Sequence, residues 1–406
     1  PLPMTHKEFE RQNFQKIKIK PEYDYKKDLE LIVTNSYYKR LKKVLDSMKD
    51  SKCICIFFNV TDGINEIIEN LGITDYKIFC SQNSVDKLLT RGISKAHSMI
   101  DYPLAKYNFF TCRFYSGLDI VLRKCKPDII MLTDFSSANW TIIDPFTEAI
   151  QIQGRFRKTK KNDDVTYNSL THISTINPEM RIRSKEELDI RINQFITDYN
   201  ILKEKHDKEV DNIRKEAIFD DMKGLKYQEL IDERGEINSF SVDNLYNEER
   251  VKSYYVSAQT LHKAYQDTGF FNVTLNDVTE CVGDDDIRKL NTTKQAIERR
   301  KILVQLLDKI HNDFENGRIS FEEKSNYIKL LSEQAEAKYT IDAYMKIGKA
   351  GMEKAEYKKG LIDKAILQYD KEQAEILRFS PNVLKGIKEE FEMNIYINKN
   401  EIKGRL

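Results

Sequence analysis

Cys53-Ile-Cys-Ile-Phe-Phe58 is the stretch that decides the fold, because it is a short and nearly continuous apolar run. Such a run is typical of a parallel strand that is buried on both faces of a sheet. The pattern returns in the run that begins at Tyr107 and in Pro127-Asp-Ile-Ile-Met-Leu-Thr133. Segments with helical spacing and turn residues separate these runs. Strands that alternate with helices predict an α/β fold with a parallel sheet flanked by helices.

Further elements are predicted on both sides of these runs. Tyr76–Cys80 and Val165–Ile173 have the apolar character of additional strands. Phe14–Lys20 alternates apolar and basic residues, which indicates an edge strand. Leu29–Met48 and Ile64–Leu71 have the spacing of helices. The first part of the chain is therefore predicted to be one parallel-sheet domain, residues 1–178.

The pattern changes to helices after about residue 178. Ser184-Lys-Glu-Glu187 has the spacing of a capping box and opens a predicted long helix or arm, residues 179–222. Residues 223–406 are predicted to form a mainly helical domain, with one strand at Phe270–Leu275. Its predicted helices are Thr293–Phe314, Ser320–Met345 and Gly360–Leu377.

Composition sets broad limits on function. The net charge is +1, but residues 1–175 carry 27 Lys+Arg against 21 Asp+Glu, and this basic excess is compatible with phosphate-rich ligands. The six cysteines lack Cys-x-x-Cys spacing and are interpreted as buried thiols in a reducing cytoplasm. The six histidines show no zinc spacing, so no metal site is predicted. No apolar run approaches the ~20 residues of a membrane span, so no membrane partner is expected.

A basic cluster marks the most informative short motif. In Gln151-Ile-Gln-Gly154-Arg155-Phe-Arg157-Lys158 a Gly-Arg pair and two further cations lie at a predicted helix end. Asp144-Pro145 suits the start of that helix, because Asp caps free N–H groups and Pro fits the first helical position. Two guanidiniums suit a phosphate, which arginine binds in a bidentate manner. A solvated basic helix end is the alternative interpretation of this stretch.

With the segment upstream, the chain resembles the second RecA-like domain of superfamily-2 helicases and translocases. Thr111…Ser116-Gly117-Leu118-Asp119-Ile120 resembles helicase motif V, and Gln151…Gly154-Arg155…Arg157-Lys158 resembles motif VI. The order, spacing and strand context of the two motifs match the family. The resemblance covers about residues 1–175 and implies a RecA-like parallel sheet, followed by a mostly helical region of unknown role.

The resemblance implies roles for individual residues. Arg155 is expected to approach the γ-phosphate of ATP, with Arg157 or Lys158 as the second cation. The family spaces its two arginines three apart, which here falls on Lys158, and lysine cannot bind phosphate in the same bidentate way. The residues expected at the nucleotide are Gln151, Gly117 and Asp119. The residues expected at the nucleic acid are Thr111, Asn59 and Ser81.

Structural interpretations of the same residues stay open. Asp119 fits a turn-capping carboxylate, and Thr111 fits an ordinary strand residue. Asn59 and Ser81 fit turn positions. Trp140 is predicted to pack between a loop and the core, with stacking on a base as the alternative.

The phosphate-binding loop Gly-x-x-x-x-Gly-Lys-Ser/Thr is absent from the sequence. The only Gly-Lys pair, Gly348-Lys349, follows a predicted helix and is interpreted as a helix end. The chain is therefore expected to be the C-terminal half of an ATP-dependent helicase, whose ATP and Mg²⁺ are bound mainly by an N-terminal RecA-like domain. Alone it is expected to bind neither cofactor and to be inactive. Its expected ligands are DNA or RNA, and its expected location is the cytoplasm.

Two other functions are compatible with the same residues. A non-catalytic nucleic-acid-binding or scaffold protein could keep a degenerate RecA-like domain. A phosphotransferase could use Asp119 and Arg155 differently, but it requires a nucleotide-binding loop that the sequence lacks. Fold resemblance alone does not choose between these functions.

Overall fold

A computed structural model describes residues 25–123, 125–135, 137–157, 166–231, 237–334, 336–378, 381–391 and 396–405, and the single positions 13, 15, 17 and 22. The chain divides into two compact units, Pro1–Glu280 and Cys281–Leu406. We call them the α/β unit and the helical unit. The edge strand predicted at Phe14–Lys20 falls on residues that lie almost entirely outside the described ranges.

One parallel sheet of eight strands organises the described part of the α/β unit. Its order is β4-β3-β5-β2-β6-β7-β1-β8, and every pairing is parallel. The strands are β1 (Lys27–Thr34), β2 (Ile54–Phe57), β3 (Tyr76–Phe79), β4 (Ala96–His97), β5 (Tyr107–Phe110), β6 (Asp128–Thr133), β7 (Ser169–Ser174) and β8 (Phe271–Val278). The predicted α/β class is confirmed.

Helices cover both faces of this sheet. They are α1 (Tyr37–Ser47), α2 (Thr61–Asn70), α3 (Gln82–Thr90), α4 (Glu148–Gly154), α5 (Lys185–Lys208), α6 (Asn212–Lys223), α7 (Ser239–Tyr254) and α8 (Ala258–Asp267). The first three pack on one face around Ile56 and Leu132, whereas α4, α7 and α8 share the other face with Phe57 and Met131. Side chains of alternating strand positions therefore enter two separate cores, which explains why the central strands carry apolar residues at successive positions.

The prediction of one helix over Leu29–Met48 is wrong in its first part. Lys27–Thr34 is a strand, and helix α1 starts only at Tyr37. The strand is buried between β7 and β8, and its β-branched residues Ile32 and Val33 suit a sheet better than a helix.

The helix predicted to start at Asp144-Pro145 begins later, at Glu148. The Asp144 carboxylate instead accepts the backbone N–H of Phe146 at 3.0 Å and the hydroxyl of Thr147 at 2.9 Å. These bonds stabilise a turn in front of the helix. By contrast, the capping box predicted at Ser184 and Glu187 is confirmed at the start of α5.

The boundary between the two compact units lies at residue 280, beyond the boundaries at 178 and 222 that the sequence suggested. Two features carry the α/β unit that far. Strand β8 pairs with all eight residues of β1, from Lys27↔Phe271 to Thr34↔Val278. Tyr255 and Tyr265 are fully buried in the core on one face of the sheet. Residues 223–280 therefore complete the sheet domain.

The helical unit contains helices α9 (Asp284–Thr292), α10 (Ala296–Glu315), α11 (Phe321–Ser332), α12 (Ala337–Lys354), α13 (Lys359–Arg378), α14 (Pro381–Glu390) and α15 (Lys399–Arg405). The single helix predicted over Ser320–Met345 is two helices. Gly348 interrupts α12 with a φ of 64°, a conformation that favours glycine, and no strand precedes it as one would in a phosphate-binding loop. None of the helices in the described ranges combines the length and apolarity that crossing a bilayer requires.

Candidate functional site

The turn after β5 and the residues after α4 lie side by side. Gly117 has a φ of +77°, which allows the chain to turn sharply where other residues are strained. The backbone N–H of Ile120 donates to the carbonyl of Arg155 at 2.7 Å, and the N–H of Arg157 donates to the carbonyl of Ile120 at 3.1 Å. This short parallel bridge brings the two sequence motifs together.

Arg155 is held by two backbone carbonyls. Its Nε donates to the carbonyl of Gln151 at 2.9 Å, and its Nη1 donates to the carbonyl of Leu118 at 2.9 Å. Both bonds fix the plane of the guanidinium. Since arginine has five N–H donors, three remain without a partner among the described residues. The arrangement suits a cation that is oriented before it meets an anion.

Arg157 has a carboxylate partner instead. Its Nε donates to Oδ1 of Asp119 at 2.7 Å, and both side chains are about half exposed. An exposed ion pair of this kind contributes only about 0–1 kcal/mol. The pair can therefore open at little cost. Lys158, the other candidate for the second cation, lies outside the described residues.

The residues predicted to bind nucleic acid follow the carboxyl ends of neighbouring strands. Thr111 follows β5, but it is 7% exposed and its hydroxyl donates to the carbonyl of Phe79 at 3.4 Å. Ser81 follows β3 and caps α3 by accepting the N–H of Ser84 at 3.3 Å. The turn interpretation accounts for the bonds of Ser81, and the hydroxyl of Thr111 points into the protein.

Asn59, after β2, links two loops at this edge. Its Oδ1 accepts the N–H of Cys112 at 3.1 Å, and its Nδ2 donates to the carbonyl of Trp140 at 3.3 Å. The Trp140 side chain is 69% exposed, so the prediction that it packs against the core is wrong. Arg113 is exposed on the adjacent turn. Solvent-facing aromatic and cationic side chains thus lie near the ends of β5 and β6, and ligands of open parallel sheets bind at this edge.

Sequence reasoning missed a carboxyl group close to this edge. Burial raises the pKa of Glu148 to about 7, although its Oε2 accepts the backbone N–H of Asp144 at 2.9 Å. The hydroxyl of Tyr115 is buried with no hydrogen-bond partner among the described residues, and burial raises the pKa of Tyr115 well above its usual range. The spacing Asp144…Glu148 at a helix start was the available signal, but it does not reveal burial.

A buried polar network lies in β6 and β7. The Thr133 hydroxyl donates to the carbonyl of Thr141 at 3.0 Å, so it accepts from Nε2 of His172 at 3.1 Å. Nδ1 of His172 then accepts the hydroxyl of Tyr265 at 2.8 Å. Burial lowers the pKa of His172 to about 3, so the ring is neutral and fully bonded. This arrangement makes His172 a structural residue of the core.

No known protein family matches the chain, and no curated protein sequence matches it.

Proposed function

We propose that the α/β unit acts as the second RecA-like domain of an ATP-dependent nucleic-acid helicase or translocase. The observation that carries this proposal is the contact between the Gly117–Asp119 turn and the Arg155–Arg157 segment. The proposal places the protein in the cytoplasm, with DNA or RNA as its macromolecular ligand. ATP and Mg²⁺ are bound mainly by a partner RecA-like domain, which supplies the phosphate-binding loop.

In this proposal the two arginines have different tasks. Arg155, whose guanidinium is fixed by two carbonyls, stabilises negative charge on the phosphate during transfer. Arg157 exchanges its exposed pairing with Asp119 for a phosphate oxygen, or Lys158 takes that role. Gly117, Asp119 and Gln151 form the border of the nucleotide site.

The nucleic-acid strand is proposed to follow the carboxyl edge around Asn59, Ser81 and Thr111. Because the polar groups of these three residues are bonded within the protein, they hold the loops in place. The groups that reach solvent there are Trp140 and Arg113, which suit base stacking and a phosphate contact.

A non-catalytic nucleic-acid-binding or scaffold protein is the second candidate. Two observations favour it. The chain has no phosphate-binding loop. Arg155 and Arg157 also both have partners within the chain, so each has a structural role that does not need a nucleotide. This candidate predicts strand binding that does not depend on Arg155.

The proposal is tested by ATP turnover of the protein assembled with the domain that carries its phosphate-binding loop. We expect Arg155→Ala to lower turnover by about 10³–10⁵-fold, because a cation that stabilises phosphoryl-transfer charge has an effect of that size. Binding of single strands, followed by fluorescence anisotropy at several salt concentrations, should be nearly unchanged. Trp140→Ala should instead leave ATP turnover nearly unchanged and weaken single-strand binding by about tenfold or more.

Arg123→Ala is the matched control, because Arg123 is an exposed arginine on the connection between β5 and β6 that also carries Gly117 and Asp119. It should leave turnover intact. Unaltered turnover in Arg155→Ala would remove the catalytic proposal and favour the scaffold. Robust metal-dependent hydrolysis by residues 1–406 alone would contradict the need for a partner domain.

A further inference from the structure

The helical unit contains a cavity of about 390 Å³ that the proposed helicase function does not use. The first turns of three helices line it, through Ala296 of α10, Ala337 of α12 and Lys359 of α13. These helix starts are far apart in the sequence and converge only in the folded unit. We call this space the basic cavity, because its walls include Arg299, Arg300 and Lys359.

The charges of the basic cavity are unbalanced. Two cations of the wall, Arg300 and Lys359, have no described carboxylate partner, and Glu336 supplies the carboxylate among the described lining residues. Arg300 uses one N–H to donate to the carbonyl of Tyr357 at 2.9 Å, and its other donors have no partner within the described ranges. The ammonium of Lys359 lies 5.4 Å from the centre of the Tyr339 ring, and no described carboxylate pairs with it. Arg300 and Lys359, held close together in this way, favour an anionic ligand.

A buried hydroxyl points to the same conclusion. Thr340 lines the cavity and is 1% exposed, yet its hydroxyl forms no hydrogen bond with any described residue. A hydroxyl that lines a cavity without a protein partner is available to a ligand. A ligand oxygen in the cavity satisfies it, since a threonine hydroxyl both donates and accepts.

The backbone adds further donors. The residues that precede α10 and α12, Gln295 and Glu336, make no side-chain cap bond to the first turn. The first N–H groups of a helix have no partner within the helix, and its dipole makes that end positive. Because the N–H of Ala337 already donates to the carbonyl of Gln334 at 3.1 Å, the cations and the Thr340 hydroxyl are the main donors for an oxyanion at these helix ends.

We propose that the basic cavity binds the phosphate group of a small phosphorylated ligand of nucleotide size. The phosphate lies beside Arg300, Lys359 and Thr340. Its organic part lies against Tyr339 and the four apolar side chains of the wall. The volume is within the roughly 300–1,000 Å³ range of small-molecule sites and exceeds what a phosphate ion alone requires. A free nucleotide and the terminal nucleotide of a strand share this chemistry.

The test is isothermal titration calorimetry on the full chain at low salt, with inorganic phosphate, ribose 5-phosphate, AMP and a 5′-phosphorylated dinucleotide as separate probes. Lys359→Gln and Thr340→Val should each weaken binding by roughly three- to tenfold, since each removes one hydrogen bond to the phosphate. Glu336→Gln should strengthen binding, because it removes the carboxylate found among the described lining residues of the cavity.

Lys301→Gln is the matched control, because Lys301 is exposed on the same helix as Arg300 and does not line the cavity. It should leave binding unchanged, and so should Arg155→Ala, which separates this site from the proposed helicase site. The ranking of the four probes identifies the source of the phosphate. Absence of binding in every arm overturns the proposal, as does binding that is equal in the wild type, Lys359→Gln and Thr340→Val.

Discussion

Comparable polar groups are bonded differently in the two units of this protein, although the α/β unit also contains a buried hydroxyl without a described partner, that of Tyr115. In the α/β unit, Arg155 is bonded to two carbonyls and Arg157 to a carboxylate, and the buried Thr141 has several partners. In the helical unit, Lys359 has no described carboxylate partner and the buried Thr340 has no described hydrogen bond. Satisfied groups stabilise the fold, whereas unsatisfied groups that line a cavity are available to a ligand.

The largest effect expected from this contrast concerns His172. Its pKa is lowered from 6.5 to about 3 in the folded protein, so the unfolded chain binds the extra proton first as the pH falls. The α/β unit should therefore lose stability between pH 6.5 and pH 3, by at most about 5 kcal/mol. The helical unit has no corresponding buried histidine among its described residues and should not show this component.

Pulse-labelling hydrogen exchange across a urea series measures the unfolding free energy of each unit separately, with peptides from β6 and α10 as reporters. The raised pKa of Glu148 gives the opposite slope between about pH 7 and 4.5, so the comparison is best made in Glu148→Gln. His172→Gln should remove the acid-dependent loss even if it lowers stability at pH 8, and His97→Gln serves as the control. An unchanged slope in His172→Gln would assign the loss to other groups.

A matched pair of threonine substitutions gives the next largest effect. The hydroxyl oxygen of Thr141 lies 3.0 Å from the carbonyl oxygen of Asp134 and 2.8 Å from that of Ala138. The same oxygen accepts the backbone N–H of Asp134 at 3.0 Å. Thr141→Val should therefore cost about 1–3 kcal/mol of unfolding free energy. Thr340→Val should cost less than about 0.5 kcal/mol, because no described bond is lost.

Urea denaturation of both variants, followed by hydrogen exchange of the same reporter peptides, measures the two changes in unfolding free energy. A loss in Thr340→Val as large as that in Thr141→Val would show that the hydroxyl of Thr340 has a structural partner. The contrast between the two units would then fail at its main point.

The smallest effect is expected at the exposed ion pair. Asp119→Asn removes the partner of Arg157 and should change the free energy of unfolding by less than about 1 kcal/mol, with the difference decreasing at high salt. Asp62→Asn, which removes the exposed partner of Arg91, is the control. A loss well above 1 kcal/mol would instead support the interpretation of Asp119 as the carboxylate that stabilises the Gly117 turn.

The sequence predicted the central strands well because β2, β5 and β6 are apolar on both faces. It failed at Lys27–Thr34, where a strand leads within three residues into helix α1 and the two apolar patterns merge. The strand at Phe270–Leu275 was predicted, but pairing with β1 across about 240 residues is not visible in local periodicity.

The candidate sites show the same limit. The proximity of Gly117 and Arg155 was expected from the order of the motifs, whereas the bonds of Thr111 and Ser81 depend on neighbouring strands and could not be deduced. The basic cavity was out of reach for sequence reasoning. Its three helix starts are separated by tens of residues, and only packing reveals that Thr340 lacks a partner.

The position of β8 also has a consequence for biosynthesis. Strand β1 is the first described strand to leave the ribosome, yet one of its two neighbours, β8, follows only after α5–α8. At roughly 5–20 residues per second, the roughly 100 residues between Ser174 and Phe271 take about 5–20 s to synthesise. During that interval the nascent sheet presents the unpaired hydrogen-bonding groups of Lys27–Thr34, a template for pairing with other chains. The edge of β1 is therefore paired only after residue 278 has been synthesised.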